Sequence, residues 1–209
     1  AYSIEDLQQT ANNVARRVNA LGVSEPTIQI QGSDRILVEL PGVTDRDTAE
    51  NTIRQTALLE FVDMSGLQAQ VRDLEGQQVL TSEQLRIYQS RGLAGTPPGM
   101  VNPATGQPFQ TVMTGSGLQA AAARSSVGGW YIQFEIAPNS QQLFGGFTGS
   151  SIGQPMGIVL DGVLLSAPTI QAQLDTGGVI EGDFVEDEAK QLALQLRSGA
   201  LPIPLRVES

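Results

Sequence analysis

Cysteine and histidine are both absent from this 209-residue chain. Without cysteine the chain can form no disulfide, no thiolate-bound zinc site and no thiol nucleophile. Without histidine it lacks the most common general base, the Ser–His pair and the commonest ligand of transition metals. We therefore expect a protein that is not an enzyme, with no cofactor and no metal.

Long apolar runs and positive charge are also scarce. The apolar runs at 158–160 and 163–165 are far shorter than the roughly 20 residues that a membrane helix needs. No charged-then-apolar leader opens the sequence, so we expect no signal peptide, and a membrane role would need anchoring segments outside this fragment. The formal charge of −10 disfavours nucleic acid and anionic lipid as main partners.

What is present is the composition of a globular chain, with 40% apolar residues. An apolar stripe from Ile4 to Leu21, with Ser3 as a cap and Gly22 as a stop, predicts a first helix. Alternating segments predict strands at 27–30 and 36–40, followed by a helix to about 55 and a strand at 58–64.

The order helix, strand, strand, helix, strand is one strand short of a ferredoxin-like sandwich. Residues 203–207 are apolar and contain a proline, as an edge strand can, and could supply the missing strand. The sequence thus predicts an α+β protein in which residues 1–66 plus 200–209 form a ferredoxin-like base. Residues 67–199 would be an inserted α+β head, hinged at Gly66, Gly199 and Pro202.

Within the predicted head, the Pro- and Gly-rich segment 92–108 is expected to be a mobile loop. The Asp161-Gly162 pair between two apolar runs predicts a tight β-hairpin. The other expected elements are helices at 82–90, 139–147 and 186–198, a strand at 130–136, and a strand pair at 170–174 and 179–181.

An acidic cluster near the last helix is the best candidate for a metal or acid–base site, because calcium and magnesium prefer oxygen ligands. Several of its members fall in the predicted first turn of that helix, where the helix dipole stabilises negative charge, and we favour that interpretation. The cluster consists of Glu181, Asp183, Glu186, Asp187 and Glu188.

Six segments, in the same order along the chain, resemble motifs of the large extracytoplasmic domain of the SecD family. They are Arg16–Pro26, Asp34–Val43, Thr56–Phe61, Thr114–Ser116, Ile158–Gly162 with Ser166–Pro168, and Leu196–Pro202. Residues 67–110 carry no pattern of this family.

The resemblance implies a role in protein export. SecD pairs with SecF in the cell membrane and uses the proton gradient to drive late translocation through the SecYEG channel. The domain that this fragment resembles lies on the extracytoplasmic (periplasmic) side and has a base and a head, and the head is thought to hold the emerging preprotein. The proton-carrying charges of the family lie in membrane helices that this sequence lacks.

A holder of unfolded chains needs apolar area and open backbone edges. Trp130, Phe144, Phe147 and Met156 are the residues that we expect to contribute to such a polypeptide-binding surface. Two alternatives remain open: a structural spacer that docks against SecYEG or SecF without touching substrate, and a hydrolase that depends on carboxylates alone.

Overall fold

The computed structural model describes residues 4–20, 23, 25–54, 58–90, 95–198 and 205. It divides the chain into two compact units: residues 1–57 with 198–209, and residues 58–197. The chain thus passes between the units twice, after Ala57 and after Arg197. The sequence analysis placed these crossings after residues 66 and 199.

The first unit combines two helices with a β-hairpin. Its elements are α1 (Ile4–Ala20), β1 (Thr27–Gln31), β2 (Arg35–Glu39) and α2 (Arg46–Arg54). The strands are antiparallel, and β1 runs alongside β2 from the pair Thr27–Glu39 to the pair Gln31–Arg35. These four elements match the predicted order, whereas the proposed caps Ser3 and Gly22 lie outside the described residues.

The apolar stripe of α1 forms the core of this unit. Val14 and Val18 are fully buried and pack with Ile53 of α2. The side chain of Leu205 packs against the same core, but the rest of the proposed strand 203–207 lies outside the described residues. A ferredoxin-like sheet is not confirmed, since the described part of this unit holds the β1–β2 pair alone.

The third predicted strand lies in the second compact unit, whereas the sequence analysis placed it in the base. This strand, β3 (Leu59–Asp63), is an inner strand of a four-stranded antiparallel sheet with the order β4-β3-β7-β8. The reason is its burial on both faces: Phe61 packs into one apolar cluster and Val62 into another. The other strands are β4 (Thr111–Thr114), β7 (Met156–Leu160) and β8 (Val163–Ser166).

The predicted hairpin between β7 and β8 is confirmed. Asp161 and Gly162 both have positive φ, 49° and 87°. Positive φ at both central residues is the requirement of a type I′ turn, whose twist matches that of the flanking strands.

A second, three-stranded sheet contains β5 (Leu118–Ser126), β6 (Gly129–Ile136) and β9 (Gly177–Phe184), in the order β5-β6-β9. The predicted strand pair 170–174 and 179–181 is wrong, because β9 pairs with β6 instead, with Ile132 opposite Ile180. Gly177 permits this pairing, since a Cβ there would overlap the carbonyl oxygen of Phe134.

The helices of the second unit include the three that the sequence predicts. They are α3 (Val71–Leu74), α4 (Ser82–Ser90), α5 (Pro138–Ser150) and α6 (Glu186–Ser198). The part of the expected mobile loop that is described is fastened at Met100, whose amide donates to Gln78 O and whose carbonyl accepts from Leu80 N, both at 2.8 Å.

Three aromatic rings mark the centre of the larger core cluster of the second unit. The ring centroids of Phe61 and Phe144 are 5.0 Å apart, and those of Phe61 and Phe134 are 5.3 Å apart. The opposite face of β3 is covered by a second cluster that includes Val71, Phe109 and Leu164. The sheet of β3 is therefore covered on both faces.

Candidate functional site

Two of the four residues expected to contribute to a polypeptide-binding surface are buried in the core. Phe144 is fully buried and Met156 is 5% exposed, and both belong to the core. Phe147 is partly buried against the same core. Trp130, at the start of β6, is half-buried, and Lys190 Nζ lies 5.7 Å from its ring centroid. Phe144 and Met156 are corrected to core residues, because their side chains are closed off from solvent.

The structure also relocates one of the predicted hinge residues. Gly66 lies in the turn after β3, well inside the second unit. Its φ of +82° favours glycine, and its amide donates to Gln154 Oε1 at 3.0 Å. Gly66 is thus part of a hydrogen-bonded turn rather than a crossing between units. Gly199 and Pro202 lie outside the described residues.

The acidic cluster is divided between a strand and a helix, with Glu181 and Asp183 in β9. Glu186, Asp187 and Glu188 occupy the first turn of α6. The carboxylate of Glu188 accepts from the amide of Val185 at 3.2 Å, and Glu186 forms an ion pair with Lys190. No group of three potential metal ligands is found in the described part of the chain. These contacts agree with the helix-dipole interpretation.

The most unusual polar group of the second unit is the carboxyl of Glu60, in the middle of β3. Glu60 is fully buried, and alternation along the strand places it on the same face as Val62. The hydroxyl of Thr111, in β4, donates to Glu60 Oε1 at 2.7 Å. Oε2 is buried and has no hydrogen-bond partner among the residues that the structure describes.

The N-terminus of α4 lies over this carboxyl, connected through Thr111. Thr111 Oγ1 accepts from the amide of Glu83 at 3.3 Å, and the amide of Thr111 donates to Ser82 Oγ at 2.9 Å. Thr81 and Gln84 close a reciprocal capping box: Gln84 N donates to Thr81 Oγ1, and Thr81 N donates to Gln84 Oε1. The start of α4 is therefore joined to the buried carboxyl by a continuous set of hydrogen bonds.

Burial raises the pKa of Glu60 from 4.5 to about 7. The hydroxyls of Thr81 and Thr111 oppose this rise in pKa, and the negative charges of Glu83 and Asp161 add to it. Burying a charged carboxylate without a cation costs free energy, so burial favours the protonated form. The site can therefore hold or release a proton near neutral pH.

The sequence analysis passed over Glu60, although the signal was present. A single acidic residue interrupts the apolar run from Leu58 to Val62. Such a residue on a half-exposed strand would face water, and the sequence did not show that β3 is covered on both sides. Only the pairing of β3 with both β4 and β7 makes this position interior.

Two strands form the edges of the three-stranded sheet, β5 and β9. β5 is nine residues long, contains no proline and has alanine at each position from 120 to 123. Natural edge strands are usually blunted by charged residues, proline, bulges or shortness. β5 has no lysine or proline, carries one charge at Arg124, and pairs regularly with β6 from Ala120 to Ser126, after an irregularity between Leu118 and Ala120. Exposed apolar side chains on this unit include Val127, Leu143 and Ile152.

No helix in the described ranges has the length and apolarity to span a bilayer.

Comparison with known proteins gives two matches to protein-family models. Residues 7–66 match the N-terminal part of the P1 domain of protein translocase subunit SecDF, and residues 95–203 match the SecDF P1 head subdomain. The second match alone covers more than half of the chain. The chain belongs to the SecDF P1 family.

Relatives along the whole chain agree with this. It is 34% identical to protein translocase subunit SecD of Dictyoglomus turgidum, over 96% of this chain and 40% of that protein. It is 37% identical to SecDF of Thermus thermophilus, over 98% of this chain and 28% of that protein. The chain thus spans less than half the length of these curated relatives.

Solved SecDF structures have the same fold. One, of a membrane component SecDF that enhances protein export, matches with a TM-score of 0.74 and 30% identity, over 100% of this chain and 94% of the solved chain. Another, SecDF in a super-membrane-facing form, matches with a TM-score of 0.76 and 33% identity, over 100% of this chain and 28% of that one.

The resemblance to SecD and the α+β class are therefore confirmed. The chain is a P1 domain of a membrane protein translocase, and its relatives carry names that indicate transport rather than catalysis. Neither family model covers residues 67–94, which include α4 and lie within the segment where the sequence showed no family pattern.

Proposed function

We propose that this P1 domain lies on the extracytoplasmic side of the membrane and binds the preprotein as it emerges from the SecYEG channel. With SecF as its partner, it assists late translocation driven by the proton-motive force. The observation that carries this proposal is the match of both units to SecDF P1 models, in a chain that divides into two compact units.

The outer edge of β5 is the binding surface that we propose. An exported chain has no fixed sequence, so its holder must recognise groups that every polypeptide has. Backbone N–H and C=O groups on a sheet edge do this by pairing with an added strand. The alanines of β5 leave room for any side chain alongside, and half-buried Trp130, which pairs with Ser125 at the end of β5, could add apolar contact.

A photo-reactive residue at Ser125 of β5, in the full-length protein, tests this surface. The matched control places the same group at Gln89, an exposed residue of α4. With a stalled export intermediate, we expect adducts to the preprotein at Ser125 well above those at Gln89. Adducts to SecYEG or SecF alone, and none to the preprotein, would contradict the proposal and favour the docking spacer.

The second part of the proposal is movement of one unit relative to the other about the two chain crossings. Hinge motions occur about a few residues that connect two units, and each crossing is a connection of this kind. The crossings follow Ala57 and Arg197, so the hinge is proposed there, with Gly199 and Pro202 continuing the second crossing and Gly66 left out.

Spin labels can measure this motion, and the absence of native cysteine makes the labelling specific. Labels at Gln29 and Gln119 report on the distance between units, and labels at Gln119 and Gln142 report within one unit. We expect a broad or multiple distance distribution for the first pair and a narrow one for the second. Equally narrow distributions for both pairs would count against a hinge.

A further inference from the structure

Glu60 is surrounded by neutral or acidic groups. Thr111 contacts it from β4, Thr81 approaches it from the start of α4, and the negative charges that act on it are Glu83 of α4 and Asp161 of the β7–β8 turn. The nearest guanidinium on α4, that of Arg86, is engaged by Glu83 through two hydrogen bonds of 2.6 and 2.7 Å. Within the described chain, no cation is positioned to neutralise an ionised Glu60.

The helix above this carboxyl is only partly packed. α4 has no fully buried residue, and its apolar residues Leu85, Ile87 and Tyr88 are half-buried. Three hydrogen bonds join its first turn to other segments: Ser82 Oγ and the amide of Glu83 both bond to Thr111, and the amide of Ser82 donates to the carbonyl of Phe109. Thr111 in turn donates to Glu60, so a change at the carboxyl acts directly on the residue that fastens the helix.

We propose that Glu60 is a proton-controlled switch for the docking of α4. With Glu60 neutral, the carboxyl is tolerated under the helix and the first turn of α4 stays fastened to β4. When Glu60 loses its proton, the hydroxyls of Thr81 and Thr111 are the groups that stabilise the anion and no cation does so, while burial and two acidic neighbours disfavour it. Contact with water would therefore lower the free energy of the anion. Water can reach it if the first turn of α4, which is bonded to the same Thr111, lifts, since β3 itself is paired on both sides.

The direction of the pH effect follows from the pKa. Because the pKa of Glu60 is raised to about 7 in the docked state and returns toward 4.5 when water reaches the group, docking is favoured by protons. Docking is strongest at acidic pH, weakens as the pH rises through about 7, and is weakest above it. Burial is the largest cause of the raised pKa, and it outweighs the hydrogen bonds from Thr81 and Thr111 that favour the anion. The switch does not depend on preprotein binding.

Hydrogen exchange of the α4 amides in the 209-residue chain tests the switch. After correction for intrinsic exchange rates, we expect the protection of α4 to fall by roughly 10- to 100-fold between pH 5 and pH 8.5. Amides of β6 serve as the internal reference, because they lie in the centre of the other sheet. Protection of α4 that stays constant over this pH range, relative to β6, would overturn the proposal.

Two variants separate Glu60 from other titrating groups. Glu60→Gln keeps the shape and cannot ionise, so its α4 protection should not change with pH. Glu135→Gln makes the same change at an exposed strand position and should retain the wild-type pH response. If Glu60→Gln does not fold, the carboxyl carbon shift of Glu60 in labelled wild-type protein reports its titration directly. A midpoint near 4.5 for that carbon, or a pH response retained in folded Glu60→Gln, would also overturn the proposal.

Discussion

Leu58 and Asp161 hold each other by two hydrogen bonds. The amide of Leu58 donates to Asp161 Oδ1 at 2.9 Å, and the amide of Asp161 donates to the carbonyl of Leu58 at 3.0 Å. Leu58 is the first residue of the second unit, and Asp161 begins the turn between β7 and β8. The pair therefore fixes the start of β3 to the hairpin beside it, at the place where the chain enters this unit.

Replacing Asp161 by alanine should destabilise the second unit. The change removes the acceptor for Leu58 N. It also places alanine, which rarely adopts a positive φ, at a position whose φ is 49°. The two effects together should cost about 1–3 kcal/mol of unfolding free energy. Urea unfolding at pH 5, where Glu60 is largely neutral in the native state, measures this cost.

Asp161→Asn is the matched control for that substitution. Asparagine tolerates positive φ and keeps an oxygen acceptor, so it should lose much less stability than alanine. Equal losses for both variants would show that neither the hydrogen bond nor the turn conformation is the reason.

Glu60 should make the stability of the second unit depend on pH. Its pKa is raised from 4.5 to about 7 on folding, so the native state binds the proton more tightly than the unfolded chain does. The contribution of Glu60 to the stability is therefore most favourable below pH 4.5, becomes less favourable as the pH rises toward 7, and levels off above it. A shift of this size corresponds to about 3 kcal/mol in total.

The measurement is urea unfolding of wild type and Glu60→Gln at intervals from pH 4.5 to 8.5. Other carboxyls affect both proteins alike, so the difference in unfolding free energy between them isolates Glu60. We expect the difference to grow in favour of Glu60→Gln as the pH rises. A difference that is independent of pH would mean that Glu60 titrates normally.

The elements with clear local signals were predictable from sequence. The stripe of α1 and the Asp161-Gly162 turn each depend on neighbours in sequence, and both are found as expected. Strand pairing was not predictable in the same way. The segment 58–64 was correctly predicted to be a strand. Its partners β4 and β7 lie far along the chain, and local patterning does not choose between distant partners.

The candidate site shows the same limit. From sequence alone, an aromatic residue such as Phe144 fits a binding surface as well as a core. The packing of Phe144 against Phe61 distinguishes the two, and it is a contact between distant segments. Glu60 was overlooked for the converse reason, since its interior position comes from the pairing of β3 with the distant strands β4 and β7 rather than from its own neighbours in sequence.

Phe144→Ala should lower the stability of the second unit rather than remove a contact with a binding partner. Phe144 is fully buried against Phe61 and Phe134, so its removal leaves a cavity. The loss should be about 3–5 kcal/mol in unfolding free energy. Phe147→Ala, at a partly buried position of the same helix, should cost clearly less. Thermal unfolding followed by near-ultraviolet circular dichroism compares the two, and equal costs would contradict the placement of Phe144 in the core.

Two glycine-to-alanine changes in the second unit should have opposite signs. At Gly177 of β9 a Cβ would overlap the carbonyl oxygen of Phe134, a backbone atom of the neighbouring strand that cannot move aside alone. Gly177→Ala should therefore destabilise by about 1–3 kcal/mol. At Gly146, an exposed position within α5, a Cβ would have no neighbour within 4 Å, and alanine is the better helix former.

Gly146→Ala should accordingly stabilise the unit by up to about 1 kcal/mol. Urea unfolding of both variants under the same conditions gives the two values. Both substitutions add one methyl group. An effect of that group alone, independent of its surroundings, would change the unfolding free energy of both variants in the same direction. Opposite signs would instead reflect the surroundings of each position: close pairing of β9 with β6 at Gly177, and open solvent at Gly146. A stable Gly177→Ala variant would require β9 to lie farther from β6 than the paired arrangement allows.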